Sequence, residues 1–139
     1  KKLREFWNEN GFSSVDIVYN NCIVADGYAI AGTRGWFYDD TADKKIIARE
    51  VGRLEKSLSE AEKTGLPILT FLHYPPVYGD LECEEIMEAL LSYDIKECYY
   101  GHLHGGHTHK NAVTGMYRGI NMHLISCDYT EFMPVLVRN

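Results

Sequence analysis

The sequence predicts an α/β layered domain, and three observations carry that expectation. Apolar runs of strand length are interleaved with two amphipathic helical stretches. The stretch Leu66 to Leu72 (LPILTFL) is a continuous apolar run with Thr70 its one polar residue, the pattern of a strand buried on both faces. The segments joining the later runs are long enough to be crossovers between parallel neighbours. No repeat or linker divides the 139 residues, so residues 1–139 read as one domain or a contiguous part of one.

In chain order, KKLREFWNENG puts Leu3, Phe6 and Trp7 on one helical face, with Gly11 as a stop but no capping residue at the start. Ser14 to Asn20 (SVDIVYN) alternates as a short strand does. NCIVADGYAIAG then reads as two strands about Asp26-Gly27, a two-residue turn that needs positive φ. Gly32 to Gly35 is a loop. Asp39 to Lys63 carries the clearest helix, with Ile46, Ile47, Val51, Leu54, Leu58 and Ala61 at spacings of three and four. Thr41 or Asp40 caps its start, Gly65 closes it, and Gly52 in its middle implies a packing reason.

His73 ends the buried run, and Pro75-Pro76 prevent its continuation. Glu82 to Tyr93 is a second amphipathic helix, with Ile86, Met87, Leu90 and Leu91 inward. Ile95 to Tyr100 is a strand, Gly105 to Thr114 a polar loop, Ile120 to Ser126 a further strand and Pro134 to Val137 a last one.

The bulk numbers bound the function. A net charge of −6 argues against a nucleic-acid binder, which would carry a basic patch. It leaves an anionic substrate open, because a metal can reverse the local sign. Cys22, Cys83, Cys98 and Cys127 lie far apart without a C-x-x-C pair, so reduced structural thiols are expected. No segment has the length of a membrane span and no signal peptide is visible, which makes the cytoplasm the expected address.

Chemistry concentrates where strands end. His73 follows LPILTFL, and His102 and His104 follow IKECYY in the stretch YYGHLHGG. Ligands of open α/β sheets collect at the carboxyl ends of the strands. Neutral imidazole suits borderline divalent metals. A lone His73 would read as a capping or core residue. An H-x-H among glycines after one strand, with a third histidine after another, points to a metal site.

These blocks carry a resemblance. FLHYPP with His73, and YYGHLHG with Gly101, His102, Leu103 and His104, resemble the last two signature blocks of the calcineurin-like metallophosphoesterases. GTRGW (Gly32 to Trp36) and ISCDY (Ile125 to Tyr129) are similar to stretches that accompany them. The resemblance implies a layered β-sandwich with flanking helices and a dinuclear centre of manganese, iron or zinc. It also implies hydrolysis of phosphate mono- or diesters by metal-activated water, with His73 and His102 on one ion and His104 on the other. The family's D-x-H, G-D-x-x-D and G-N-H blocks do not occur here; Gly79-Asp80 runs GDLEC, after His73, and opens a helix. The uncapped opening helix and the absent blocks together suggest the C-terminal part of such a domain. Three imidazoles without a bridging carboxylate make a poor dinuclear site, because two close dications repel. The chain alone is therefore expected to bind at most one ion and to show little phosphatase activity.

Other residues have plainer readings beside functional ones. Arg34 can reach a phosphate with a bidentate fork or stand as an exposed loop arginine. Tyr74, Tyr78, Tyr99 and Tyr100 wall a pocket or belong to the core, with Tyr74 the candidate for substrate contact. His107 and His109 read as a solvated loop, His123 as partly buried or at an edge, and Glu55, Glu60 and Glu62 as a solvated helix face. A metallo-β-lactamase-like hydrolase also uses H-x-H, but there an Asp-His pair follows where this chain has Gly-Gly-His. The alternative from another class is a non-catalytic fragment or subunit, associating through exposed sheet edges with a partner or a second copy.

Overall fold

The computed structural model describes residues 2–37 and 43–137. Twelve elements follow one another: α1 (Lys2–Glu9), β1 (Ile23–Ala25), β2 (Tyr28–Thr33), α2 (Lys44–Glu62), β3 (Ile68–Leu72), β4 (Val77–Tyr78), β5 (Leu81–Glu82), α3 (Glu84–Ser92), β6 (Glu97–Tyr100), α4 (Gly106–His109), β7 (Gly115–Tyr117) and β8 (Ile120–Leu124). Six strands form one mixed sheet in the order β1-β2-β3-β6-β8-β7. Its four central strands run parallel, and β1 and β7 are antiparallel edges. The class is mixed α/β, as expected; the described residues make one main sheet and a two-stranded ribbon, β4-β5.

Local chemistry sets these elements. Asp26 (φ 50°) and Gly27 (φ 80°) form the hairpin turn between β1 and β2. On α2, Ile47, Glu50, Leu54, Ser57, Leu58 and Ala61 make one buried face. It lies against Ala29 and Ala31 of β2, whose small side chains let the helix approach. Inside that contact, Ser57 Oγ donates to the Asn21 carbonyl (2.6 Å) and accepts the Gly32 N–H (2.9 Å). A Cβ at Gly32 would stand 1.8 Å from the Phe71 carbonyl oxygen, so β2 and β3 pair there only because residue 32 has no side chain. α3 buries Ile86, Met87, Ala89 and Leu90 on the same side of the sheet.

The opposite face carries a row of rings. Register aligns Phe71, Tyr99 and His123 across β3, β6 and β8. Phe71 stacks on Tyr99 at 4.9 Å, and Tyr99 on His123 at 4.4 Å. The Tyr99 hydroxyl donates to the Val137 carbonyl (2.9 Å), which draws the end of the described chain over this face.

Several expectations need correction. Ser14 to Asn20 is not a strand, because side chains take its backbone donors: Asp16 accepts from Ile17 N–H (2.7 Å) and Asn21 from Tyr19 N–H (2.6 Å). α2 begins at Lys44 and is capped by Asp43, whose carboxylate accepts the Lys45 N–H (2.9 Å); the expected caps Asp40 and Thr41 lie outside the described residues. Gly52 has no packing role, since a Cβ there would meet nothing within 4 Å. The polar loop contains the one-turn helix α4, β7 adds an edge strand, and Pro134 to Val137 makes no strand. All four cysteines are free, with Cys83 and Cys98 buried and Cys127 exposed. Among the described residues no helix is long and apolar enough to cross a membrane.

Candidate metal centre

Parallel order gathers the chemistry at one edge of the sheet. Register pairs Thr33 with Leu72, Leu72 with Tyr100, and Tyr100 with Leu124, the last residues of four adjacent parallel strands. The next residues are Arg34 after β2, His73 after β3, Gly101-His102 after β6 and Ile125 to Asp128 after β8. Backbone bonds carry the alignment past the strand ends: the Arg34 carbonyl accepts the N–H of His73 (3.1 Å) and Tyr74 (2.8 Å). The Tyr100 carbonyl accepts the Ile125 N–H (2.8 Å), and the His73 carbonyl the Gly101 N–H (3.3 Å). Residues 29 positions apart in the chain thereby become neighbours.

His73 and His102 meet ring to ring. His73 Nε2 lies 3.2 Å from His102 Nδ1, with the planes at 73°. Two nitrogens on one divalent ion at about 2.1 Å, subtending about 90–110°, stand roughly 3.0–3.4 Å apart. The observed spacing is that of an edge of a coordination polyhedron, and equally of an N–H···N hydrogen bond. Burial, with the nearby His73 and His104 rings, lowers the His102 pKa and favours its neutral, ligand-competent form.

The backbone of His102 is strained toward this arrangement. Its φ is 69°, and the Leu103 N–H donates to the Gly101 carbonyl at 2.8 Å, closing a three-residue turn of the rare positive-φ kind. Such strain concentrates at functional positions. Leu103 is buried, which separates the two exposed histidines on either side of it.

His104 has a partner that the sequence reading did not assign. Its Nδ1 lies 2.9 Å from Asp128 Oδ1, while Asp128 Oδ2 accepts the Gly105 N–H at 2.7 Å. The Gly105 amide first, and then His104, bring the Asp128 pKa down to about 2. One carboxylate thus holds two successive residues of the histidine loop. Asp128 stands past the end of β8 as the histidines stand past β3 and β6. That shared strand-end position in ISCDY was the signal available for it.

The remaining candidates divide. Tyr74 packs beside the pair, its ring 4.3 Å from that of His102 and 4.8 Å from that of His73. The Arg34 guanidinium is held by Glu50 (3.0 Å) and lies over the Trp36 ring at 4.8 Å, so it is neither a free fork nor an unengaged loop arginine. Glu50, fully buried on α2, also takes Arg53 (2.6 Å). His109 is not solvated: its Nε2 lies 3.2 Å from the Leu103 carbonyl, bracing the loop from behind, whereas His107 is exposed. His123 is partly buried and paired with Glu97 at 2.6 Å. Tyr100 is core, its hydroxyl donating to the Val113 carbonyl (2.6 Å), and Tyr78 packs on Phe37.

The donors present fit part of a metal shell. His73 and His102 offer two nitrogens at ligating separation, but the donor atoms of all three histidines do not lie within 4.8 Å of one another, so His104 is not brought into one cluster with the pair. Among the described residues, the one grouping of three such donors within 4.8 Å is His104, Cys127 and Asp128. Among the described residues no carboxylate groups with His73 and His102 as a third donor, so these residues do not make a complete dinuclear centre. Comparison with family models, with curated proteins and with solved structures gives no match.

Proposed function

We propose that this chain carries the imidazole part of a divalent-metal centre serving phosphate-ester hydrolysis, of the calcineurin-like metallophosphoesterase kind. The observation that carries the reading is the 3.2 Å approach of His73 Nε2 and His102 Nδ1 at the carboxyl ends of adjacent parallel strands. When bound, a divalent ion supplies Lewis acidity toward a phosphoryl oxygen and acidifies a water. The chain's own part is to hold neutral nitrogens toward such an ion and to wall one side with Tyr74 and Trp36, whose rings lie 5.5 Å apart. The sandwich form of this fold is supported by the face opposite the helices. Its Phe71, Tyr99 and His123 row is the kind of surface a second sheet covers.

Alone, the chain binds at most one ion and hydrolyses phosphate esters little, since among the described residues no carboxylate joins the His73–His102 pair to offset the repulsion of a second dication. The test is elemental analysis of the purified chain after equilibration with manganese and with zinc, on wild type and on His73→Ala and His102→Ala. Up to one ion in the wild type, lost in both variants, supports the proposal. Binding that survives both substitutions would refute the site. Two ions per chain, with manganese-dependent hydrolysis of p-nitrophenyl phosphate abolished by His102→Ala, would refute the claim of incompleteness.

A further inference from the structure

We infer that Asp128 is the positioning residue of His104: it holds the ring in its Nδ1–H form and leaves Nε2, on the far side, as the ligating nitrogen. The inference rests on the metal-site reading above and adds a named partner to it. Metal-bound histidines commonly donate their other ring N–H to a carboxylate, which fixes both tautomer and orientation.

The chemistry of the contact decides the tautomer. Asp128 is an acceptor-only carboxylate, so the 2.9 Å contact requires a proton on His104 Nδ1. In a neutral ring the lone pair then falls on Nε2. The second oxygen accepts the Gly105 N–H at 2.7 Å and lies 3.6 Å from His109 Nε2. Asp128 therefore fixes the ring and the backbone that follows it with one rigid group. The Thr108 hydroxyl, donating to the His104 carbonyl at 2.6 Å, ties the same residue from its backbone side.

A competing reading makes His104, Cys127 and Asp128 ligands of one ion, since their donor atoms lie within 4.8 Å. It is disfavoured because ligation through His104 Nδ1, the nitrogen beside Asp128, would displace the proton that the 2.9 Å contact requires. The two readings place the ion on opposite sides of the His104 ring.

Nitrogen-15 NMR of the histidine side chains in the metal-free chain separates them, with His104→Ala used to assign the resonances. At a pH where the ring is neutral, the wild type should show His104 as the Nδ1–H tautomer. Asp128→Ala should lose that preference, and Asp128→Asn, which keeps one acceptor oxygen in place, should show it weakened. A wild-type His104 in the Nε2–H form, or one unchanged in both variants, overturns the inference whether or not the chain binds metal. A cobalt titration supplies the second readout. Binding that His104→Ala weakens should weaken about 10–100-fold in Asp128→Ala as well, and Cys127→Ser should leave the spectrum unchanged. A thiolate-to-cobalt charge-transfer band that disappears in Cys127→Ser would overturn the inference in favour of direct ligation. A wild type that binds no cobalt but keeps the Nδ1–H tautomer would sink the metal-site reading and leave the positioning contact standing.

Discussion

His102 offers a direct test of the strain at this site. Its φ of 69° closes the turn from Gly101 to Leu103, a conformation that costs a residue bearing a Cβ of order 1–3 kcal/mol. Alanine at position 102 keeps that cost, whereas glycine escapes it. Glycine also gives its unfolded chain more freedom, which takes back about 0.5–1 kcal/mol. Both substitutions remove the imidazole, so the contacts with His73 and Tyr74 are lost equally and cancel in the comparison. His102→Gly should therefore be more stable than His102→Ala by about 1 kcal/mol. Urea unfolding in the presence of a chelator measures this as a shift in midpoint at constant slope. Equal midpoints, or a more stable alanine variant, would refute the claim that residue 102 sits in a strained positive-φ turn. On the metal-site proposal the expected order bears on function: the imidazole stands where its backbone is uncomfortable, and the strand ends hold it there.

Three further outcomes follow from the packing. Gly52→Ala on the exposed side of α2 should raise stability by about 1 kcal/mol, read as a higher urea midpoint, because a Cβ there meets nothing within 4 Å. Glu50→Ala should lower stability by about 2 kcal/mol; the arginines it leaves are partly exposed and regain water, which keeps the loss below that of a fully buried pair. The Cys98 thiol, fully buried, has its pKa pushed up to about 12 by burial. It stays neutral in the folded chain while the unfolded chain ionises above about pH 8.5. Its stabilising contribution is thus complete below that pH and falls by about 1.4 kcal/mol per pH unit as pH rises toward 12. Urea unfolding followed from about pH 8 to 10 should show a shallower alkaline decline in Cys98→Ala; an identical slope would refute this.

The sequence made the strand-end histidines and the sheet's central strands readable because both are local patterns. LPILTFL is apolar but for Thr70, and the turn at Asp26-Gly27 depends on two adjacent residues. What stayed hidden depends on pairing between distant segments. Asp128 meets His104 only because β8 adds parallel to β6, and no spacing between residues 24 positions apart announces that. Glu50 was hidden for a different reason. It occupies the apolar stripe of α2 between Ile47 and Leu54, where its burial depends on Arg34 and Arg53 arriving from the end of β2 and from the next turn of the helix. At Ser14 to Asn20 the alternation was real, but Asp16 and Asn21 satisfied backbone donors locally and removed the need for a neighbouring strand.

The three histidines are not equally ready to ligate. Without an ion, the 3.2 Å contact between His73 and His102 is a hydrogen bond only when one ring carries a proton on the nitrogen that faces the other. Presenting both lone pairs to a common ion means moving that proton to the far nitrogen of its ring and giving up a hydrogen bond worth about 1 kcal/mol net. His104 bears no such cost, because Asp128 already draws the proton to Nδ1 and leaves Nε2 free. The lowered pKa of His102 removes a different obstacle, its charge, and does nothing about the tautomer. His104 Nε2 is thus the nitrogen prepared in advance, and the His73–His102 pair the one that must rearrange. On the metal-site proposal, His104 alone is preorganised and the His73–His102 pair is not, the reverse of what their spacing alone suggests.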